Sequence, residues 1–349
     1  MTSPAITIGT REIGGDAPCY LIAEVGTTCL GDMDKARKLI EAGASAGADA
    51  IKFQVIDPYQ DSDPRTPYKI VVDGKESSAN MRQMFERLQF SEEQWHEIAQ
   101  HCREHKVEFF ATADYTAGVD MLERIGVPVH KIGAWDTTFR PLVEHIGCLG
   151  KPMFADLGPT KEVEIDDLVM WFRVAGGEYV LFLHDFHTQD DRQMNLRAME
   201  YLKTKFPDWP VGFSAPARDD DLDFAALALG ASFIEKRLIL TRSEQAFHAH
   251  ESLEPDEFRN WVRRIRHVER ALGKAAIAPS NEDLAGAKLY YRSVCSLTHI
   301  KKGDRFTTHN LGGKRPGTGI PTERLPEIWG RTAARDIAPD TLLTDKEIT

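Results

Sequence analysis

Cysteine is scarce in this chain, which has five in 349 residues. No two of them have the C-x-x-C spacing of a metal or redox motif. An odd and scattered set argues against a disulfide framework and against a structural zinc site. We expect free thiols that pack as small hydrophobic side chains. The five are Cys19, Cys29, Cys102, Cys148 and Cys295.

Long apolar runs and an excess of positive charge are also missing. No segment approaches the ~20 apolar residues that a membrane helix needs, and residues 1–7 lack the basic and then apolar stretch of a secretory signal. We therefore expect a cytoplasmic protein without a membrane partner. The 43 Lys and Arg residues against 54 Asp and Glu give a net charge of -11, which disfavours broad binding to nucleic acid. No G-x-G-x-x-G follows a predicted strand, which argues against a dinucleotide cofactor.

Short apolar runs recur along most of the chain, with longer amphipathic segments between them. The runs do not alternate cleanly between apolar and polar residues, which is typical of strands buried on both faces of a parallel sheet. The eight predicted strands are 20–26, 49–55, 108–114, 129–135, 152–157, 179–185, 210–214 and 232–240.

Helical spacing of apolar residues fills several of the intervals. Gly47 is a plausible helix stop, and Ser91 with Gln94 has the pattern of a capping box. Eight strands with interleaved helices in about 270 residues predict a (β/α)8 TIM barrel, in the α/β class. A doubly wound open sheet is the alternative. The predicted helices are 34–46, 91–104, 161–175, 195–206 and 255–272.

The barrel pattern ends near residue 273, and we divide the chain there. Residues 1–273 are the predicted barrel, 274–290 a linker, and 291–349 a small β-rich domain with turn signals and little helix. Within the barrel, 56–80 is the longest non-periodic stretch. A loop of that length is either a lid or binding loop, or a surface excursion.

The chain resembles the sialic acid synthase family over nearly its whole length. These enzymes join phosphoenolpyruvate to an N-acetylated amino sugar. The family's small domain, related to type III antifreeze proteins and called the SAF domain, resembles the C-terminal part. The matching segments are IAEVG at 22–26, AGADAIKFQ at 46–54, HKI at 130–132, GKP at 150–152, MNLRAMEYLK at 194–203, ALALGASFIEK at 226–236, SLEPDEF at 252–258, RHVERALG at 266–273, IKKGD at 300–304, KRPGTGI at 314–320 and GRTAARDIAPDTLL at 330–343.

The resemblance implies a barrel with the small domain appended, and a domain-swapped homodimer in which each small domain caps the partner's barrel. It also implies an anionic small-molecule substrate in a pocket at the carboxyl ends of the strands. A lone lysine there more often pairs with a carboxylate, but the set of strand-end lysines favours an anion site. The predicted substrate-binding residues are Lys52, Gln54, Thr112, Asn195, Ser214, Lys236, Arg237 and Arg315. The predicted catalytic residues are Glu24, Lys131, Asp136 and His184.

Two positions depart from the family's metal site. The resemblance implies a divalent ion, commonly manganese, held by two histidines, but those positions read Pro216 and Arg237. Proline cannot ligate, and arginine stays protonated. We therefore expect the family's metal site to be lost and predict no cofactor. Arg237 could supply part of the missing positive charge.

Asp156 stands where the family has a hydroxyl that would meet phosphate. Like charges about 4 Å apart repel by roughly 4 kcal/mol at an effective dielectric of about 20, so we expect Asp156 to be protonated or paired, with Arg237 as the natural partner. A relocated mixed N/O metal site is an alternative. Its candidate ligands are Asp156, His184, His187, His248 and His250.

Three functions remain open from the sequence. The first is a synthase-like enzyme that makes or breaks a carbon–carbon bond in a sugar-like substrate. The second is a metal-independent lyase in which Lys131 or Lys236 forms a Schiff base with a keto acid, and His184 or Asp136 moves protons. The third is a non-catalytic relative that binds a sugar acid.

Overall fold

The computed structural model describes residues 4–72, 75–188, 190–214, 217–244 and 246–349. The chain forms two compact units, Met1–Gly273 and Lys274–Thr349. No helix of the described residues is long and apolar enough to cross a membrane.

Twelve strands are described in the first unit. They are β1 (Ile6–Ile8), β2 (Arg11–Ile13), β3 (Tyr20–Glu24), β4 (Ala50–Val55), β5 (Pro67–Val72), β6 (Lys75–Asn80), β7 (Glu108–Ala113), β8 (His130–Ile132), β9 (Met153–Asp156), β10 (Val180–His184), β11 (Val211–Ser214) and β12 (Phe233–Arg237). Eight of these pair in parallel and close a barrel in the order β3-β4-β7-β8-β9-β10-β11-β12. The predicted (β/α)8 class is thus confirmed, and the open-sheet alternative is excluded.

Helices alternate with the barrel strands. They are α1 (Met33–Ala46), α2 (Pro58–Asp61), α3 (Met81–Glu86), α4 (Glu92–Glu104), α5 (Thr116–Ile125), α6 (Arg140–Gly147), α7 (Glu162–Val174), α8 (Ala198–Lys205), α9 (Asp221–Ala228) and α10 (Pro255–Leu272), with 3-10 turns at Asp191–Gln193 and Ala249–Glu251. Gly47 ends α1 in the left-handed conformation, at φ 95°, and Ser91 with Gln94 forms the predicted capping box of α4. Helices α5, α6 and α9 were not among the predicted ones.

The inside of the barrel is filled by bulky side chains from alternate strand positions. Ile8 and Ile13 of the β1–β2 hairpin belong to the same buried cluster as Tyr20 at the start of β3, so the hairpin covers the amino end of the barrel. Side chains alternate along a strand, so the next inward positions beyond this core lie toward the carboxyl ends. We call that end the barrel mouth.

The non-periodic stretch 56–80 is more ordered than the sequence predicted. It contains α2 and an antiparallel pair, β5 and β6, in which Pro67 lies opposite Asn80. The segment is an excursion between β4 and α4 with its own secondary structure. Sequence periodicity missed it because two short strands with only each other to pair with need not carry a buried apolar face.

The second unit has its own small core. Its elements are α11 (Asn281–Tyr290), β13 (Ser293–Ser296), β14 (Leu311–Lys314) and α12 (Leu325–Ile328), with 3-10 turns at Thr322–Arg324 and Asp345–Glu347. Strands β13 and β14 pair antiparallel, and Val294, Phe306 and Leu343 are among the residues of its buried cluster. The segment 274–290 that we predicted as a linker contains the whole of α11.

Candidate active site at the barrel mouth

Strand register brings the predicted site residues side by side at the mouth. Glu24 lies opposite Lys52 on one side and Arg237 on the other. Thr112 lies opposite Gln54 and Lys131. Parallel pairing therefore assembles functional side chains that are far apart in the sequence, as barrels of this class do.

Glu235 is the centre of the cluster. Its Oε1 lies 3.0 Å from the Lys52 Nζ and its Oε2 lies 2.6 Å from the Lys131 Nζ, and all three side chains are buried. Burial would raise the pKa of Glu235, but the charges of Lys131 and Lys52 outweigh it and lower that pKa to about 2. Glu235 was not among the predicted site residues, although it stands at a strand end in the matched segment 226–236.

Asp156 pairs with Lys131, whose Nζ lies 3.1 Å from its Oδ1. Burial, together with the charge of Glu235, raises the pKa of Asp156 to about 6 against the lowering effect of Lys131. Burial would lower the pKa of Lys131, but Asp156 and Glu235 raise it above the ordinary value. Asp156 is paired as expected, but its partner is Lys131 and not Arg237.

Arg237 instead reaches Glu24, with 3.0 Å between its Nη1 and the Glu24 Oε2. Its Nε lies 3.5 Å from an oxygen of Glu251. Burial opposes the charge on Arg237, but Glu24 and Glu251 raise its pKa. The Gln54 Nε2 donates to the other Glu24 oxygen at 3.5 Å. We call Glu24, Lys52, Lys131, Asp156, Glu235 and Arg237 the charged cluster.

The charged cluster is not a site of positive charge alone. Its three cations already pair with carboxylates of the same cluster. An anionic ligand can therefore bind only if it displaces some of these carboxylates or if they take up protons. Asp156 is the carboxylate suited to this, because its pKa of about 6 lets it take up a proton near neutral pH.

A second group of carboxylates lies beside the ends of β7 and β8. Asp136 is half-buried, and burial with the charge of Asp61 raises its pKa to about 6. Burial, with the charges of Asp136 and Asp61, raises the pKa of Asp114 well above its ordinary value. A carboxyl group that titrates near pH 6 can donate and accept protons under working conditions, which is what the predicted catalytic role of Asp136 requires.

Lys236 does not join the charged cluster. Its Nζ lies 2.8 Å from an Asp223 oxygen, and both side chains are fully buried. The same Asp223 carboxylate accepts the Trp261 indole N–H at 2.8 Å. Lys236 follows the inward-facing Glu235, so it points outward to α9 and α10, and the prediction that it lines the pocket is wrong.

His184 also faces away from the pocket. Its Nε2 lies 2.7 Å from the Met194 carbonyl oxygen, and its ring packs near Phe186 and Phe213. Burial lowers its pKa, so the ring stays neutral. The predicted catalytic role of His184 therefore lacks a geometric basis.

The remaining predicted residues are placed as follows. The Thr112 hydroxyl is buried and has no hydrogen-bond partner among the described residues, and Ser214 lies opposite Glu235 at the end of β11. Asn195 is exposed, with a backbone φ of 46°. Arg315 belongs to the second unit, where its Nε donates to the Tyr290 carbonyl at 2.6 Å.

The histidines near the mouth do not form the relocated metal site. His187 pairs with Asp185 at 3.1 Å, and His250 approaches Glu251 at 3.4 Å. The His248 Nδ1 lies 3.5 Å from the Thr27 hydroxyl. In the part of the chain that the structure describes, no three His, Cys, Asp or Glu donors converge at the mouth.

The donors present do not suit the family's divalent ion either. The half-buried guanidinium of Arg237 stands among the mouth carboxylates where a neutral imidazole would be needed. Pro216 lies outside the described residues.

An open depression of about 400 Å³ lies next to His187. Trp135 is 71% exposed, and its ring centroid is 5.1 Å from that of His187. An exposed aromatic face with a neighbouring imidazole is a surface on which a sugar ring can pack. The depression is lined by Trp135, Gly158, Pro159, Thr160, Phe186, His187, Thr188 and Gln193.

The structure defines a two-unit protein that has a closed parallel (β/α)8 barrel, a charged cluster at the barrel mouth and a small C-terminal unit with its own core. The NeuB family model matches residues 39–276 and the SAF domain model matches residues 291–349. The chain belongs to the NeuB family and carries a C-terminal SAF domain.

Known proteins agree with this assignment. The chain is 30% identical over 340 residues to an uncharacterized protein of Methanocaldococcus jannaschii, covering 97% of each chain. It is 29% identical to the N,N'-diacetyllegionaminic acid synthase of Campylobacter jejuni, covering 93% of this chain and 98% of the relative. The crystal structure of N-acetylneuraminic acid synthetase from Leptospira borgpetersenii, in complex with citrate, matches with a TM-score of 0.73 and 25% identity, over 82% of this chain and 95% of that one.

Proposed function

We propose that the protein is a sialic acid synthase-like enzyme that joins phosphoenolpyruvate to an amino-sugar aldehyde. The observation that carries the proposal is the pair of buried ammonium groups, Lys52 and Lys131, held by Glu235 at the barrel mouth. A family relative is named for making N,N'-diacetyllegionaminic acid, so the sugars to test first are N-acetylated ones.

The bond changes are those of an aldol-type condensation. The methylene carbon of phosphoenolpyruvate attacks the sugar carbonyl carbon, and the carbonyl oxygen takes a proton. Water adds to the former enol carbon, inorganic phosphate leaves, and a keto acid three carbons longer remains. Lys52 and Lys131 would bind the carboxylate and phosphate of the substrate. Asp136 would supply or accept the proton, because its pKa of about 6 suits that work.

Arg237 would take over charge stabilisation in this variant of the family. Its guanidinium is fixed against Glu24 and Glu251, and a fixed positive charge in a site shielded from water stabilises a developing oxyanion. We therefore propose that the reaction does not need the divalent ion of the family and proceeds in the presence of a chelator.

The proposal is tested by incubating the protein with phosphoenolpyruvate and a panel of N-acetylated hexosamines, once with EDTA and once with Mn²⁺. Phosphate release and the mass of the keto acid are both measured. We expect both products with at least one sugar, and in EDTA as well as in Mn²⁺. If none of the sugars supports phosphate release, in EDTA or in Mn²⁺, the synthase reaction is excluded. Calorimetry with the same compounds would then test for a sugar-acid-binding protein.

Two lysine variants provide the matched comparison. Lys131→Met removes a pocket ammonium, and we expect it to abolish product formation. Lys205→Met is the control, because Lys205 pairs with Glu162 and Asp166 on the outer helices. Equal activity of the two variants would contradict the assignment of the pocket.

The Schiff-base alternative is disfavoured by two observations. Lys236 is buried in its ion pair with Asp223, away from the pocket. Asp156 and Glu235 raise the pKa of Lys131, which keeps it in the ammonium form that is not nucleophilic. We expect no covalent adduct with pyruvate after borohydride treatment, and a mass increase on Lys131 would revive the alternative.

A further inference from the structure

Three metal-ligating side chains converge on the outer helices, where the proposed function places no residue. Glu41 lies in the last two turns of α1, His101 in the last turn of α4, and His105 is the residue that caps α4. His101 and His105 are four positions apart, so their side chains share one face of the helix. Helix α1 packs against α4, which brings Glu41 to that face.

The donor atoms are close enough to share one ion. One ligand atom from each of the three residues lies within 4.8 Å of the others, and the His101 Nε2 is 3.3 Å from the Glu41 Oε1. Two donors that each sit about 2.1 Å from a tetrahedral zinc ion are about 3.4 Å apart. The observed separation is therefore the one that a shared ion requires, and the two imidazole rings lie with their centroids 4.6 Å apart.

The His101 Nε2 gives a second indication. This nitrogen is buried and has no hydrogen-bond partner in the described parts of the chain, although the Glu41 carboxylate is near. A buried polar atom without a partner is uncommon in a native structure and calls for an explanation, such as an ion.

We propose that Glu41, His101 and His105 bind one zinc ion on the surface of the barrel, with water in the remaining coordination position. Two imidazoles and a carboxylate suit zinc, whereas magnesium and calcium favour sites made of oxygen ligands alone. The ion joins the end of α1 to the end of α4. These helices lead from β3 and β4 to the next barrel strands. The bound ion therefore cross-links two neighbouring helices of the outer layer, at a place separate from the charged cluster.

The test is a zinc titration of untagged, chelator-treated protein against a chromophoric competitor. We expect one zinc ion per chain for the wild type. Glu41→Gln, His101→Gln and His105→Ala should each weaken binding by at least about tenfold, since even the loss of an outer-shell partner costs about that much. Binding should also weaken on acidification, because protons compete for the ring nitrogens.

His96→Ala is the matched control, because His96 is an exposed histidine of the same helix. It should bind zinc as the wild type does. Glu41 and His105 are exposed, so their variants are expected to fold, and circular dichroism checks this. Saturating zinc should raise the melting temperature of wild type and His96→Ala but not of His105→Ala. Unchanged zinc affinity in His105→Ala, or no zinc binding by the wild type, would overturn the proposal.

Discussion

Glu235 accepts one ammonium group on each oxygen of a buried carboxylate, and this arrangement determines the electrostatics of the pocket. Removing one partner of a buried charge pair leaves the other uncompensated, which costs more than the pair contributes when intact. The charged cluster should therefore respond to single substitutions in stability as well as in activity.

Lys131→Met should lower the free energy of unfolding by about 3 kcal/mol at pH 8, because Glu235 and Asp156 then face each other without the ammonium between them. The loss should be smaller at pH 5, where Asp156 takes up a proton. Urea unfolding at the two pH values measures both. Lys205→Met removes a more exposed pair and should cost less than about 1 kcal/mol. Equal losses at pH 5 and pH 8 would contradict the proton uptake.

Asp136 gives a separate pH dependence of stability, which comes from its own titration. Its pKa is about 6 in the folded protein and 3.8 without the fold, so the folded state binds more protons between those values. Stability contributed by this group is present below about pH 4 and is lost as the pH rises to 6. Asp136→Asn should therefore gain stability relative to wild type over that interval, by up to about 3 kcal/mol. A stability difference that does not change between pH 4 and 7 would refute this.

At the scale of elements, strand alternation decides which side chains reach the pocket. Glu235 and Arg237 of β12 point inward, and Lys236 between them points to α9 and α10. His184 is turned outward by the same alternation on β10. The matched segments identified the strand ends. They did not show whether a given residue at a strand end faces the inside of the barrel or the outer helices.

Asp223→Ala should lower the free energy of unfolding by about 3 to 5 kcal/mol, because Lys236 then holds a buried charge without a counterion and Trp261 loses its acceptor. Asp221→Ala on the same helix is the control. Asp221 is exposed in the first turn of α9, where a carboxylate contributes about 0.3 to 1 kcal/mol. Chemical denaturation of both variants measures the difference, and similar losses would show that the buried pair is unimportant.

At the scale of the whole molecule, the chain consists of two units with separate cores. The family resemblance implies that the small unit of one subunit completes the site of another. We retain that domain-swapped homodimer as a proposal, with Arg315 as the residue that reaches the partner's pocket.

Mixing two inactive variants tests this arrangement. Lys131→Met disables the barrel, and Arg315→Ala disables the small unit. If the site needs both chains, a mixed dimer contains one intact site, so phosphate release should return when the two variants are unfolded together and refolded. Each variant refolded alone is the control and should stay inactive. No recovery in a mixture that contains mixed dimers would exclude a shared site.

The eight barrel strands, five of the barrel helices (α1, α4, α7, α8 and α10) and the family were predictable from the sequence. Buried parallel strands require continuous apolar runs, and the caps at Gly47 and Ser91 are local signals. The β5–β6 pair and helix α9 were missed because their residues do not show a clear periodicity by themselves. Helices α5 and α6 are amphipathic, but each is short and has no side-chain cap at its start. The depression beside Trp135 was also not predictable, since it forms where loops from several strands meet.

The amino-acid sequence by itself determined the strand and helix order and placed polar residues at the strand ends, since these depend on local periodicity and capping. Only the tertiary structure decided which of those residues meet. Lys52 and Glu235 are 183 positions apart, and closure of the barrel is what brings them within 3.0 Å. Alternation along β12 turns Lys236 outward. The pairing of β8 with β9 gives Asp156 its partner Lys131, which neither residue indicates by itself.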